Sequence, residues 1–265
     1  MLRLIWDSKS AMMAQQEKLD TISNNIANAN TNGYKKISTD FKDLVYESLD
    51  RNGYPVSPST TSKAVLQNGT GVRAGEWTRD NTQGSLSQTS ISTDLAIDGT
   101  GYFEVTQPDN SKAYTRAGNF LTDVSGTIVD EKGNRLSIVD ANGNNINRVN
   151  GPYKFSADNF KVDSNGTVTV KGSNGDKAVG KIQIFNFVGD NSMMAVGDSL
   201  FVPKPGTKVT QSKDYSVMQG YLELSNVDIA TEMTDMLMTQ RAFQLSSTTL
   251  KTADEMWQMA NNLRG

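Results

Sequence analysis

Two amphipathic stretches with a seven-residue apolar repeat bracket this chain, and they constrain its fold more than any other feature. Near the start Ile5, Met12, Leu19 and Ile26 fall seven apart, with Ile22 and Ala29 on the next ridge. Near the end Ile229, Met236, Phe243, Leu250 and Trp257 keep the same interval, flanked by Met233, Ala242, Met256 and Leu263. A repeat of seven holds an apolar seam on one side of a helix, because 3.5 residues per turn lies close to the natural 3.6. The first helix carries Lys9, Gln15, Gln16, Glu17, Lys18 and Asp20 on its other faces, so it cannot be buried all round. Asparagine and glycine between Asn28 and Gly33 tolerate the left-handed conformation, which predicts a stop near Asn30. Ser225 or Asn226 is positioned to cap the second helix, and Asp228 and Glu232 place negative charge at its positive end. Roughly 35 residues at about 1.5 Å each make a rod of roughly 50 Å, long for a globular helix. A modest β domain cannot cover two such rods, so their seams require each other or other chains, and self-association is expected.

Between the helices the apolar period changes to two. Tyr102-Phe103-Glu104-Val105, Lys161-Val162, Thr167-Val168-Thr169-Val170 and Lys181-Ile182-Gln183-Ile184-Phe185 read as strands. Ser125-Gly126, Asn142-Gly143, Asn165-Gly166 and Asn174-Gly175 punctuate them as tight hairpin turns with positive φ. No βαβ alternation occurs, which argues against a doubly wound nucleotide-binding sheet. Residues 50–70 hold Pro55 and Pro58 amid Ser and Thr and read as an extended insert. The expected fold is therefore α+β, with long N- and C-terminal helices pairing as a coiled coil and a central antiparallel β domain. Its expected parts are 1–33 with 226–265 as the helical domain, 34–82 as linker and insert, and 83–225 as the β domain.

Composition removes most alternatives. With 26 basic and 29 acidic side chains the net charge is −3, which provides no electrostatic capture of nucleic acid. The chain has no cysteine and no histidine, so disulfides, Cys/His zinc sites and every nucleophile relying on a histidine base are excluded. Carboxylate pairs, lysine, serine with lysine, or an oxygen-ligated metal remain as catalytic means. No apolar run approaches the 18 residues or so that span a bilayer, and the start lacks the apolar stretch and cleavage site of a secretory signal.

Each remaining motif has a plainer reading. Asp163-Ser164-Asn165-Gly166 begins like a calcium loop, but Val168 and Asn174 stand where such a loop needs glycine and glutamate, so a hairpin turn is expected. Gly69-Thr70-Gly71 and Gly99-Thr100-Gly101 do not complete a dinucleotide fingerprint and read as turn or bulge glycines. Asp94 and Asp98 could form a carboxylate dyad, yet they bound a short apolar strand. No catalytic, cofactor-binding or metal-binding residue is assigned. Methionines crowd both terminal segments (Met12, Met13, Met233, Met236, Met238, Met256 and Met259), where flexible thioethers suit helix packing.

Asn24-Asn25-Ile26-Ala27-Asn28-Ala29-Asn30-Thr31-Asn32-Gly33-Tyr34-Lys35 closely resembles the N-terminal signature of the bacterial flagellar rod and hook family. Gln83 to Thr89, Leu95 to Phe103 and Ala113 to Phe120 resemble successive blocks of its β domain. Gln219 to Asp228, followed by Gln240-Arg241-Ala242-Phe243, resembles its C-terminal signature, although the family commonly carries Tyr where Phe243 stands. The length and the segment from Tyr46 to Asn68 resemble the distal rod branch most, with proximal rod or hook paralogues as the alternatives. The resemblance implies a non-enzymatic subunit of the axial drive shaft, without cofactor, exported through the type III pathway and polymerised outside the cytoplasmic membrane into a helical tube. Its implied partners are further copies of itself, other rod and hook subunits, and the export apparatus with its chaperoning components; nucleic acid is not among them, and the chain is not membrane-spanning. Ile5, Met12, Leu19, Ile22, Ile26, Ile229, Met233, Met236, Phe243, Leu250 and Trp257 would form the assembly seam. By the same likeness Phe41, Leu44 and Val45 would supply an export-gate motif. The insert from Asp50 to Thr61 matches no family pattern. A cell-wall carbohydrate hydrolase using paired carboxylates and a secreted adhesive module are the rival readings, and both would put function in the β domain.

Overall fold

The computed structural model describes residues 2–48, 67–148, 151–172, 175–187, 189, 192–212 and 214–263. The Asp50 to Thr61 insert and Asn174 lie outside the described residues. The fold is α+β: one helix at each end, α1 (Leu2–Ala27) and α2 (Ile229–Asn262), with antiparallel strand pairs between them. Contacts divide the chain into two units. The first gathers Met1–Ile26, Ile37–Thr78 and Ile229–Gly265, and the second Ala27–Lys36 and Arg79–Asp228.

In the first unit the helices accompany two short ladders, Ile37–Asp43 with Val72–Arg79 and Tyr46–Ser48 with Gln67–Gly69. Helix α1 ends at Ala27, earlier than the expected Asn30. The reason is tertiary. The Asn25 side chain donates to the Ile37 carbonyl at 2.8 Å and accepts from the Ile37 amide at 3.0 Å, so the chain must turn back at once. Helix α2 begins at Ile229, so Asp228 holds the N-cap position expected of Ser225 or Asn226. Ser225 instead accepts from the Val227 amide at 3.3 Å.

The second unit contains a nine-stranded sheet whose main path runs Met193–Gly197, Leu200–Pro203, Lys112–Thr115, Tyr102–Thr106, Arg135–Leu136, Ile128–Val129 and Leu121–Thr122. A four-stranded sheet follows the order Ile138–Val139, Gly175–Ile182, Thr167–Gly172, Phe160–Val162. Phe103, Val105, Phe120, Ile128, Leu136, Ile138, Ile182 and Ile184 fill the core between them. On the other face of the Tyr102–Thr106 strand, Tyr102 and Tyr114 pack with Met193 and Phe201, so this strand is covered on both sides. The strand expected from Lys181 to Phe185 is broken at Gln183. Residues up to Ile182 pair within the smaller sheet, whereas Ile184–Phe187 pairs with Tyr102–Thr106 in the larger, which lets one apolar run serve both sheets.

The turns share one design. In Asp123–Thr127, Asp130–Asn134, Asp140–Asn144 and Asp163–Thr167 the fourth residue is glycine at positive φ, and its amide donates to the aspartate carbonyl at 2.8–2.9 Å. The aspartate amide in turn donates to the fifth residue's carbonyl at 2.8–3.0 Å. These are three-residue loops with only the glycine left-handed, not two-residue turns in which Asn and Gly both take positive φ. In the first three, the aspartate carboxylate accepts from the next backbone amide at 2.6–2.7 Å. Asp163 therefore occupies a recurrent turn position.

Candidate assembly interface

The terminal helices expose apolar side chains on more than one face. Of the expected seam in α1, Ile22 is buried and Ile5, Met12, Leu19 and Ile26 are half-buried. In α2, Met236, Phe243 and Leu250 are half-buried, while Ile229, Met233 and Trp257 are exposed. The most buried row of α2 is a different one: Glu232, Thr239 and Ala253 are buried and Ser246 half-buried, again at intervals of seven. In α1 the corresponding buried positions are Ser8, Ala14, Thr21 and Asn25. In α2 small and polar side chains thus lie deepest, with larger ones flanking them, whereas α1 buries Ile22 among its small and polar residues. Sequence reasoning that counts apolar residues misses such a row; the signal was the second heptad itself. Leu237, Met238, Leu245, Met259 and Leu263 point away from it and are exposed.

Among the described residues, a buried polar contact joins the helices. Asn25 Nδ2 donates to Glu232 Oε2 at 3.1 Å, and both residues are 1% exposed. Beside them the Thr21 and Thr39 hydroxyls are 3.0 Å apart. The C-terminal end of α1 therefore meets the first turn of α2, where the carboxylate also faces the positive end of the helix.

In the second unit a buried ionic cluster draws one or more residues from each of the five motif blocks singled out in the sequence. Glu223 lies at its centre. Lys35 Nζ is 2.6 Å from Glu223 Oε1, and Arg116 Nε is 2.7 Å from Oε2, with all three side chains at most 3% exposed. Lys35 also donates to the Thr82 carbonyl at 2.6 Å. Arg116 donates to the carbonyls of Gly101 at 2.5 Å and Gly99 at 2.6 Å. The Gly84 amide completes the carboxylate's shell at 3.0 Å. A Cβ on Gly84 would lie 2.0 Å from the Leu224 carbonyl oxygen, so only glycine permits this approach. Burial lowers the Lys35 pKa below 10.5, opposed by the Glu223 carboxylate. Asn226 lies alongside, accepting from the Lys36 amide at 2.7 Å and donating to the Asp80 and Thr82 carbonyls at 3.0 and 3.2 Å. No residue of this cluster was among the expected site residues.

Asp94 is buried and accepts from the Thr89 hydroxyl at 2.6 Å, whereas Asp98 is exposed, so the two carboxylates have different surroundings. Phe41 lies in the Ile37–Asp43 strand with its ring 5.5 Å from Lys18 Nζ; Leu44 is half-buried and Val45 exposed. No group of three metal-binding side chains occurs among the described residues, and no described helix is long and apolar enough to cross a membrane.

Long terminal helices with apolar side chains turned outward, attached to a β unit closed by its own ions, are the parts of a structural assembly subunit. Residues 8–35 match the flagella basal body rod protein family, 96–170 the flagellar hook protein FlgE/F/G D1 domain, and 218–263 the flagellar basal body rod FlgEFG protein C-terminal family. The chain is 35% identical to the flagellar basal-body rod protein FlgG of Buchnera aphidicola, covering 99% of this chain and 100% of the relative. It is 34% identical to that of Borreliella burgdorferi (100% and 99% covered) and 36% identical to that of Caulobacter vibrioides (96% and 97% covered). The chain belongs to the flagellar basal-body rod family and is a structural rod subunit of the flagellum, located in the basal body.

Proposed function

We propose that the chain is a non-enzymatic distal rod subunit that polymerises through its terminal helices into a helical tube, which transmits torque from motor to hook. The observation that carries this reading is the outward apolar face of α2, where Leu237, Met238, Leu245 and Met259 are each at least 59% exposed. Such a face on a long helix gains stability only when other chains cover it. Residues 1–33 and 226–265 form the coiled-coil domain in this reading. The Asn25–Glu232 contact supports an antiparallel register that sets the bulky Phe243 against Ala14 and lets the backbones approach where Ser246 faces Ala11. Helix α2, at 34 residues against 26 in α1, then overhangs by about 12 Å. That overhang supports the same reading, because every described residue from Asp254 onward is exposed. The sequence-expected residues Ile5, Met12, Leu19, Ile26, Ile229, Met233 and Trp257 flank this pair and contact further copies. Phe41, Leu44 and Val45 serve as the export-gate segment, read by the type III apparatus before the subunit joins other rod and hook proteins.

The test is electron microscopy of the concentrated full-length protein beside its Leu245→Glu variant. Residue 245 is exposed in the monomer, so the variant keeps its circular dichroism. Filaments from the parent and none from the variant are expected. Equal filament formation by both would overturn the assignment of this face.

A further inference from the structure

The two strands nearest the start of the β unit have ladder partners only near its end. Leu95–Gly99 pairs with Tyr215–Gln219, and Leu86–Gln88 pairs with Tyr221–Glu223, each as an isolated two-stranded sheet. Leu95, Ala96 and Ile97 are at most 1% exposed, so this late partner closes part of the core. The Gln219 side chain donates to the carbonyls of Ser92 at 2.6 Å and Phe160 at 2.9 Å, and accepts from the Val162 amide at 3.1 Å. The Val217 amide donates to the Ser164 carbonyl at 2.9 Å while its side chain enters the core. Glu223 supplies the anion for Lys35, 188 residues away, and for Arg116. Without it, two buried cations lose the carboxylate that contacts both of them.

We propose that residues 215–226 are a keystone whose late arrival gates the docking of the strands Leu86–Gln88 and Leu95–Gly99 and the closing of the Lys35–Arg116–Glu223 cluster. Closing contacts over such separations costs loop entropy before any burial offsets it. Residues 215–223 supply the ladder of both early strands and the carboxylate held by Lys35 and Arg116. Both early strands precede residue 215 by more than a hundred positions, so they stay unpaired until the chain is almost complete. The inference concerns the fold alone and stands or falls independently of the rod reading.

Pulse-labelled hydrogen exchange during refolding of the dilute full-length protein tests it. Amides in 86–88 and 95–99 should gain protection in the same phase as those in 215–223, never earlier. Protection of either early strand in a preceding phase would overturn the proposal. A second measurement uses native-state exchange of Gln219→Ala. Protection should fall about tenfold or more in 92–99 and 160–162 together; a loss confined to 215–223 would equally overturn it.

Discussion

Replacing Glu223 by glutamine tests the ionic cluster directly, because the side chain keeps its shape and loses only its charge. Lys35 and Arg116 lie 2.6 and 2.7 Å from its two oxygens, in surroundings at most 3% exposed. Removing one partner of a buried ion pair costs about 3–5 kcal/mol, and here two cations lose the same anion, which argues for the upper part of that range. Lys35 has an escape: burial already lowers its pKa from 10.5, and without the carboxylate it sheds its proton more readily. The sign of the pH dependence follows. In the unfolded variant Lys35 holds its proton up to 10.5, whereas burial makes the folded variant release it at lower pH. Stability of the variant therefore rises with pH towards 10.5. The parent gains less, because its carboxylate opposes the fall in pKa. Urea unfolding followed by the strand circular dichroism at pH 7 and 9.5 should show a deficit of about 4 kcal/mol that shrinks at the higher pH. Should the variant be unfolded at pH 7, adding Lys35→Met removes one stranded cation and should restore measurable folding. A deficit under about 1 kcal/mol, or one that widens with pH, would refute the electrostatic account.

Phe243→Asp puts a charge in the middle of the α2 heptad and should abolish assembly, read by sedimentation, while the strand circular dichroism survives; assembly at the parent concentration would contradict the packing argued for this residue. Gly84→Ala should destabilise the β unit by about 2 kcal/mol or more in thermal unfolding, since its Cβ would meet a carbonyl oxygen at 2.0 Å. Burial, with the Glu104 charge and hydrogen bond adding to it, pushes the Tyr114 pKa up from 10 to about 12. The folded state then holds a proton that the unfolded state releases between pH 10 and 12, so stability should fall across that interval, by about 2 kcal/mol, and Tyr114→Phe should abolish that part of the slope in alkaline urea titrations.

The heptads of Ile5 to Ile26 and Ile229 to Trp257, and the period of two in the middle, sufficed to establish two long helices and an antiparallel β region. Both are local properties, because a helix or strand face is decided by residues a few positions apart. The turns were legible for the same reason, and the motif blocks carried the family. The rest depended on residues brought together from far along the chain. Nothing near Gln183 marks it as the point where an apolar run passes from one sheet to another. Asn226 looks like a helix cap in isolation, but the backbone of Lys36, Asp80 and Thr82 claims its side chain. In α2 the row of Glu232, Thr239, Ser246 and Ala253 lies deeper than its methionines, because small residues let another element approach while large ones are held to the sides. Lys35, Arg116 and Glu223 each read as ordinary surface charges in sequence. Only the closed β unit removes water from all three at once, and only then must the two cations and the carboxylate neutralise one another.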